Sequence, residues 1–184
     1  MEYNETQYNP MQTVKRRFFA MRNGVVADVL RKAGSPYRII FGLNLPQIVD
    51  IAGEIGPSRI LAEELFGNTS TRESLLIAPM LMPHEEFSAD DAMRWSMNVA
   101  DREAADILCH RLLRHMPYAL DLARELCGKE GLPGYVGIRL AVNLIYAHPS
   151  ECAAIAAGLV DSSDAHVSRL AQQILEEVEL IANL

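Results

Sequence analysis

The chain has 184 residues, of which 49% are apolar and 22% charged, and a formal net charge of −7. This composition excludes disordered and collagen-like chains, and the length predicts one domain. The acidic balance argues against general affinity for nucleic acid, because phosphate binding depends on Lys and Arg. No apolar run approaches the ~20 residues that cross a bilayer, and the first residues lack the pattern of a signal peptide. We therefore expect a cytoplasmic protein with no membrane partner.

The N-terminal section is the basic part of the chain. Residues 1–43 contain seven Lys and Arg against three Asp and Glu, whereas the remainder contains ten against 21. Residues 1–12 are predicted to be a flexible segment, and the apolar spacing predicts a helix from about Thr13 to Asn23, ended by Gly24. The cations of this section could form a basic face, although such a run is more commonly a solvated helix surface. They include Lys15, Arg16, Arg17 and Arg22.

Gly, Pro and polar caps divide the following residues into short helices. Helices are predicted at three further ranges: 25–33, 46–55 and 57–66. The one β-like run, YRIIFGL at residues 37–43, is interpreted as an apolar connector beneath the helices. Ser70 and Glu73 have the spacing of a capping box, in which each side chain would accept a hydrogen bond from the other residue's backbone N–H. Pro79 predicts a kink or an early end of the helix that follows.

The second half of the chain continues the helical pattern. A second capping box is predicted between Ser88 and Asp91, and Asp101 is predicted to begin the next helix. Further helices are predicted at four ranges: 118–127, 133–147, 150–160 and 164–183. About ten short helices joined by short breaks must lie antiparallel to their neighbours. We therefore predict an all-α fold over residues 13–184, with antiparallel helical hairpins stacked as a HEAT-like α-α superhelix; the alternative is an irregular bundle.

Asp106 lies at the border of a buried stripe in the helix that Asp101 begins. Arg102 and His110 lie four residues to either side of it, so the three side chains form one row. Such a row is most commonly an exposed set of charge pairs, each contributing about a few tenths of a kcal/mol. On a concave surface, the carboxylate could instead stabilise positive charge on a bound substrate. Trp95, the only tryptophan, could stack on a sugar or base, although core packing is the commoner role.

The sequence predicts no metal and no other cofactor. The three widely spaced cysteines, Cys109, Cys127 and Cys152, are interpreted as buried free thiols. The five histidines lack the spacing of metal ligands. Walker, dinucleotide-binding, GxSxG and HExxH motifs are all missing from the sequence.

Two stretches of the sequence carry a family resemblance. LAEELFGNTSTRESLLIAPMLM has an aromatic after Leu, a short polar break, and a Glu before an Ala-containing apolar helix. WSMNVADREAADILCHRLLRH has an Asp beside an apolar stripe. The matching residues are Leu65, Phe66, Glu73, Ala78 and Asp106. Through these motifs, from about Ile60 onward, the chain resembles the HEAT-like DNA alkylation repair glycosylases, the AlkD-like family.

The resemblance implies a concave surface that binds duplex DNA and an activity that cleaves the N-glycosidic bond of alkylated purines. It implies that Asp106 is the catalytic carboxylate, which stabilises oxocarbenium character in the sugar. Arg102 stands where the family has a tryptophan, four residues before the Asp. By the same analogy, Arg102, His110 and Trp95 would contact the substrate. The residues that would contact the DNA backbone are Lys15, Arg16, Arg17 and Arg22.

Two hypotheses follow. The first is a divergent DNA alkylation repair-like protein that binds DNA, with or without cleavage of glycosidic bonds. The second is a non-enzymatic HEAT-repeat scaffold that binds a protein partner. The match at Asp106 and the basic N-terminal section favour the first hypothesis, whereas the acidic balance of the whole chain favours the second.

Overall fold

The computed structural model describes residues 9–183, which contain eleven α-helices, two short 3-10 helices and no strand. The predicted all-α class is therefore confirmed. The chain divides into two compact units, of which residues 9–83 and 84–183 are described. Among the described residues, no helix is both long enough and apolar enough to cross a membrane.

The first unit contains five helices. They are α1 (Pro10–Ala20), α2 (Gly24–Lys32), α3 (Leu45–Ile55), α4 (Arg59–Gly67) and α5 (Arg72–Leu81). Helices α4 and α5 pack together as a hairpin, α3 packs against α5, and α1 packs against α4. Nearly every residue of α5 is buried, which makes it the central helix of this unit.

Helix α1 begins earlier than the sequence pattern indicates. Residues 1–8 of the predicted flexible segment lie outside the described residues, but residues 10–12 of that segment are helical. The side chain of Asn9 accepts a hydrogen bond from the backbone N–H of Gln12 at 2.8 Å, and Pro10 occupies the first turn. Both features favour a helix start, so the helix extends beyond its apolar positions.

The connector at residues 37–43 is extended and largely buried, as predicted. Its backbone forms a single bridge between Ile39 and Thr71. The predicted capping box after Ser70 is wrong, because Thr71 is the N-cap residue and its side chain makes no capping hydrogen bond. Glu73 instead turns to the connector and accepts backbone N–H bonds from three consecutive residues, Phe41, Gly42 and Leu43. The residue that the pattern assigned to a helix cap therefore fixes the connector to α5.

The second unit contains six helices. They are α6 (Ala89–Met97), α7 (Arg102–Arg111), α8 (Ala119–Cys127), α9 (Leu132–Leu144), α10 (Pro149–Ala157) and α11 (Ala165–Ala182). The 3-10 helices are His84–Glu86 and Leu113–His115. Helix α9 packs against α7, α8, α10 and α11, so it is the central helix of this unit.

Two local features of the second unit explain its helix starts and its tight packing. The capping box of Ser88 and Asp91 is confirmed, and the side chain of Asp101 caps α7 as predicted. Gly137 allows α8 and α9 to approach closely, because a Cβ atom there would lie 2.5 Å from the backbone nitrogen of Cys127. The sequence pattern predicts the caps, whereas the close approach depends on residues far apart in the chain.

Candidate functional site

Helices α7 and α9 present two facing rows of polar side chains. The facing pairs, each 33 residues apart, are Arg102 with Tyr135, Asp106 with Arg139, and His110 with Asn143. Residue numbers increase in the same order from one facing pair to the next on both helices. Helices α7 and α9 therefore run in the same direction. Helix α8 lies between them in sequence and packs against α9, so the row on α9 belongs to the hairpin that follows α7.

The carboxylate of Asp106 is held through one of its oxygens. The hydroxyl of Tyr135 donates a hydrogen bond to Oδ1 at 2.8 Å. Nε of Arg139 lies 2.9 Å from the same oxygen but its N–H is not aligned with it, so this contact is an ion pair rather than a hydrogen bond. The Asp106 side chain keeps 35% of its surface exposed. The site therefore presents a carboxylate that is fixed from one side and reachable from solvent.

The predicted row of Arg102, Asp106 and His110 does not pair within its own helix. Arg102 lies with its guanidinium carbon 5.6 Å from the ring centre of Tyr135, and its Nη2 is 3.6 Å from Oδ2 of Asp164. His110 Nδ1 is 3.3 Å from Oδ1 of Asn143. Both flanking side chains thus contact residues outside α7 rather than each other or Asp106.

Charge and burial keep the groups beneath Asp106 protonated. Burial raises the pKa of the Tyr135 phenol, and its hydrogen bond to Asp106 raises that pKa further. The thiol of Cys109 is fully buried and contacts the carbonyl oxygen of Val136 at 3.5 Å. Its burial, with the nearby Asp106 charge, also raises the pKa of this thiol. Tyr135 is therefore a hydrogen-bond donor at neutral pH, and Cys109 is a protonated core thiol.

Trp95 is not available to a substrate, which corrects its assignment as a contact residue. The indole is fully buried, and its ring packs edge-on against Phe87 with the ring centres 5.1 Å apart. A side chain without exposed surface cannot stack on a nucleotide in this structure. Trp95 contributes instead to the core of the second unit.

The predicted basic residues of the first unit are exposed and take different partners. Arg17 forms an ion pair with Glu54. Arg22 donates a hydrogen bond to the carbonyl oxygen of Phe19 at 2.8 Å, and its guanidinium carbon lies 3.9 Å from the centre of the Phe19 ring. Lys15 and Arg16 line a groove beside Phe19. These four cations thus occupy one region of the unit around α1, where Arg17 and Arg22 contact Glu54 and Phe19 respectively.

Tyr135 and Arg139 are part of the site but were not among the sequence-based candidates. They lie four residues apart on α9, just as Arg102 and Asp106 lie four residues apart on α7. If the sequence of α7 is aligned with that of α9 at an offset of 33 residues, Arg102 aligns with Tyr135 and Asp106 aligns with Arg139. The signal is weak in a single sequence, because the aligned residues differ in type.

No family model and no curated protein matches the sequence. A solved structure is similar to it: a member of a protein family described as related to the HEAT-like repeat DNA glycosylases and as having affinity for branched DNA structures. The similarity has a TM-score of 0.75 and covers 90% of this chain and 74% of that chain, at 18% identity. The chain has a HEAT-like helical fold. This finding confirms the predicted stacking of helical hairpins over the irregular bundle.

Proposed function

We propose that this protein binds DNA and that Asp106 promotes cleavage of the N-glycosidic bond of alkylated purines. The observation that carries the proposal is the fixed, partly exposed carboxylate between α7 and α9 on a HEAT-like fold. The structurally similar protein is related to DNA glycosylases and belongs to a family with affinity for branched DNA, which supports a DNA partner.

The chemistry follows from the position of the carboxylate. When an N-glycosidic bond breaks, the base leaves with the bonding electrons and positive charge develops on the sugar ring. A fixed carboxylate stabilises that charge without having to reorganise, and a water molecule then adds to the anomeric carbon and loses a proton. In this site Tyr135 and Arg139 contact Oδ1 of Asp106. Oδ2 is therefore the oxygen that would lie against the sugar and stabilise its positive charge.

The remaining candidate residues have supporting roles in this proposal. Arg102 and His110 would contact the bound nucleotide from either side of Asp106, since each lies one helical turn from it on α7 and extends to a side chain of α9. The exposed cations around α1 would contact phosphates. These residues are Lys15, Arg16, Arg17 and Arg22.

The experiment that tests catalysis compares two carboxylate substitutions in the second unit. Release of 7-methylguanine and 3-methyladenine from methylated duplex DNA is measured for the natural protein, Asp106→Asn and Asp121→Asn. Asp121 is exposed and, among the described residues, pairs with Arg124 on its own helix, so its substitution controls for the loss of one negative charge. We expect the natural protein and Asp121→Asn to release base and Asp106→Asn to lose most of that release. Equal release by all three proteins would remove Asp106 from the mechanism.

The protein-binding scaffold remains the second candidate function because of the charge of the second unit. This unit contains 16 acidic and eight basic side chains, and such a surface suits a basic protein partner better than a polyanion. Binding of duplex and four-way-junction DNA at low and moderate salt separates the two candidates. Salt-dependent binding supports the DNA proposal, whereas no binding and no base release would favour the scaffold.

A further inference from the structure

Phe19 is an exposed aromatic side chain in a basic region of the first unit. It keeps 57% of its surface exposed, whereas its neighbour Phe18 is fully buried in the core. The guanidinium of Arg22 lies against the Phe19 ring, and its hydrogen bond to the Phe19 carbonyl holds it there. A flat aromatic ring backed by a planar cation is therefore presented at the surface.

A groove lies directly beside this ring. It has a volume of about 630 Å³ and is lined by Gln12, Lys15, Arg16, Phe19, Ala20 and Phe41. Phe41 is fixed at the base of the groove by its contact with Phe18, with ring centres 5.8 Å apart. Of the described residues that line it, two are cations and none is a carboxylate, so their charge suits an anion. The volume of the groove falls within the roughly 300–1,000 Å³ of sites that hold small organic molecules.

We propose that this Phe19 groove binds an unpaired nucleotide of single-stranded DNA, with the base stacked on Phe19 and the flanking phosphates on Lys15 and Arg16. The inference rests on the proposed function, because it names the form of DNA that the first unit takes. In a continuous duplex each base face is covered by its neighbour, so only an unpaired base can stack on a side chain. The cations alone would not make this distinction, since duplex and single strand both offer phosphates.

The ring also distinguishes DNA from an acidic peptide. A peptide carboxylate would pair with Lys15 and Arg16 but would gain little from an exposed aromatic plane. A base gains stacking on the face of the ring that the Arg22 guanidinium leaves open. The combination of two cations with the Phe19 and Arg22 pair thus favours a nucleotide as the occupant.

The test uses the full chain and three labelled probes in fluorescence anisotropy titrations. The probes are a short oligothymidylate, an oligonucleotide of the same length with abasic sites throughout, and a blunt duplex. The variants are Phe19→Ala and, as a matched control, Ile60→Ala, which shortens another highly exposed apolar side chain of the same unit. Because Phe19 is exposed, its substitution leaves the core of the unit intact.

We expect Phe19→Ala to weaken oligothymidylate binding by roughly 5- to 150-fold, the effect of losing one stacked base, while Ile60→Ala changes little. Binding of the abasic probe and of the duplex should be equal in all three proteins. Equal oligothymidylate binding by Phe19→Ala and the natural protein would overturn the inference. So would an equal loss on the abasic probe, because that probe has no base to stack.

A second measurement reads out stacking itself. In Phe19→Trp an indole replaces the ring at the groove, and a stacked base quenches its emission, while Trp95 is buried and gives a constant background. Quenching by oligothymidylate in Phe19→Trp alone supports the proposal, and its absence contradicts it. If the duplex binds but the single strand does not, this inference fails and the proposed function stands. If neither probe binds, the proposed function itself fails.

Discussion

At the scale of single residues, Asp106 depends on a partner that is far away in sequence. Tyr135 is nearly buried, and its hydroxyl is the aligned hydrogen-bond donor to the carboxylate. The ion pair with Arg139 supplies charge but less directional control. Orientation of the carboxylate therefore depends chiefly on one phenol.

This arrangement predicts the effect of Tyr135→Phe. Removing the hydroxyl should cost about 1 kcal/mol of stability and lower base release more than DNA affinity, because the carboxylate loses its alignment but not its charge. Thermal unfolding, DNA binding and base release are measured side by side. Tyr146→Phe is the control, since the Tyr146 hydroxyl is exposed and contacts only Glu177 at 3.4 Å. Loss of release in both variants to the same extent would contradict the orienting role of Tyr135.

The cysteines give a second prediction at the residue scale. All three are free; Cys109 and Cys152 are buried and Cys127 is half-buried, so the expectation of buried thiols is confirmed for two of them. Burial raises the pKa of Cys127 to about 12 and that of Cys152 to about 11. Near neutral pH the native protein should therefore react slowly with a thiol reagent such as DTNB, and all three thiols should react in urea.

The same pKa shifts fix the direction of the pH dependence of stability. A thiol whose pKa is raised in the folded state keeps its proton there while the unfolded chain loses its own. The free energy of unfolding should thus be insensitive to these thiols below pH 9 and decrease between pH 9 and about 11 to 12. Urea unfolding across this range checks the sign. Higher stability in alkali would contradict it.

At the scale of helices and connectors, Glu73 links α5 to the connector at residues 37–43. Its carboxylate is fully buried, accepts three backbone N–H bonds from the connector, and pairs with Arg72 at 3.0 Å. Gly42 permits this turn, since its φ of +79° and a Cβ position 2.2 Å from the Asn23 carbonyl oxygen exclude a side chain.

The prediction at this scale is that Glu73→Gln destabilises the protein by about 2–4 kcal/mol. In the variant, an amide N–H₂ group replaces one carboxylate oxygen that accepts backbone N–H bonds, and the negative charge beside Arg72 is lost. The control is Glu64→Gln on α4, whose side chain is exposed. Chemical unfolding gives the two free energies, and equal values would show that the buried carboxylate is not needed for stability.

Helix boundaries were predictable from the sequence to within a few residues, because caps, prolines and apolar spacing act locally. The start of α7 at Asp101 and the capping box at Ser88 are examples. The role of Glu73 was not predictable, since its partners lie about 30 residues earlier in a connector without a regular pattern. Tyr135 was missed for the same reason, because its contact with Asp106 depends on how α7 packs against α9.

At the scale of the whole molecule, charge is divided unevenly between the two units. The first unit has nine basic and eight acidic side chains, and the second has eight basic and 16 acidic. The described residues up to position 43 contain seven cations and a single carboxylate, that of Asp28. Phosphate binding should therefore depend mainly on the first unit.

This distribution predicts the salt dependence of DNA binding. The double substitution Lys15→Gln/Arg16→Gln should lower affinity and reduce the slope of log affinity against log salt by about 2, roughly one per lost phosphate contact. The matched control is Arg124→Gln/Lys129→Gln, which removes the same charge from the acidic second unit. Anisotropy titrations over a series of salt concentrations give both slopes. An equal change in the two variants would mean that total charge, rather than the basic region, governs binding.

The fixed offset of 33 residues between α7 and α9 has a consequence for how such a protein can change. The two side chains that hold the Asp106 carboxylate, Tyr135 and Arg139, are supplied by the hairpin of α8 and α9, whereas α7 supplies the acid itself. Recombination that exchanged a single hairpin would preserve the scaffold while giving the same acid a new set of neighbours. Exchange of that hairpin would therefore change both contacts of the carboxylate at once, whereas a point substitution changes one of them.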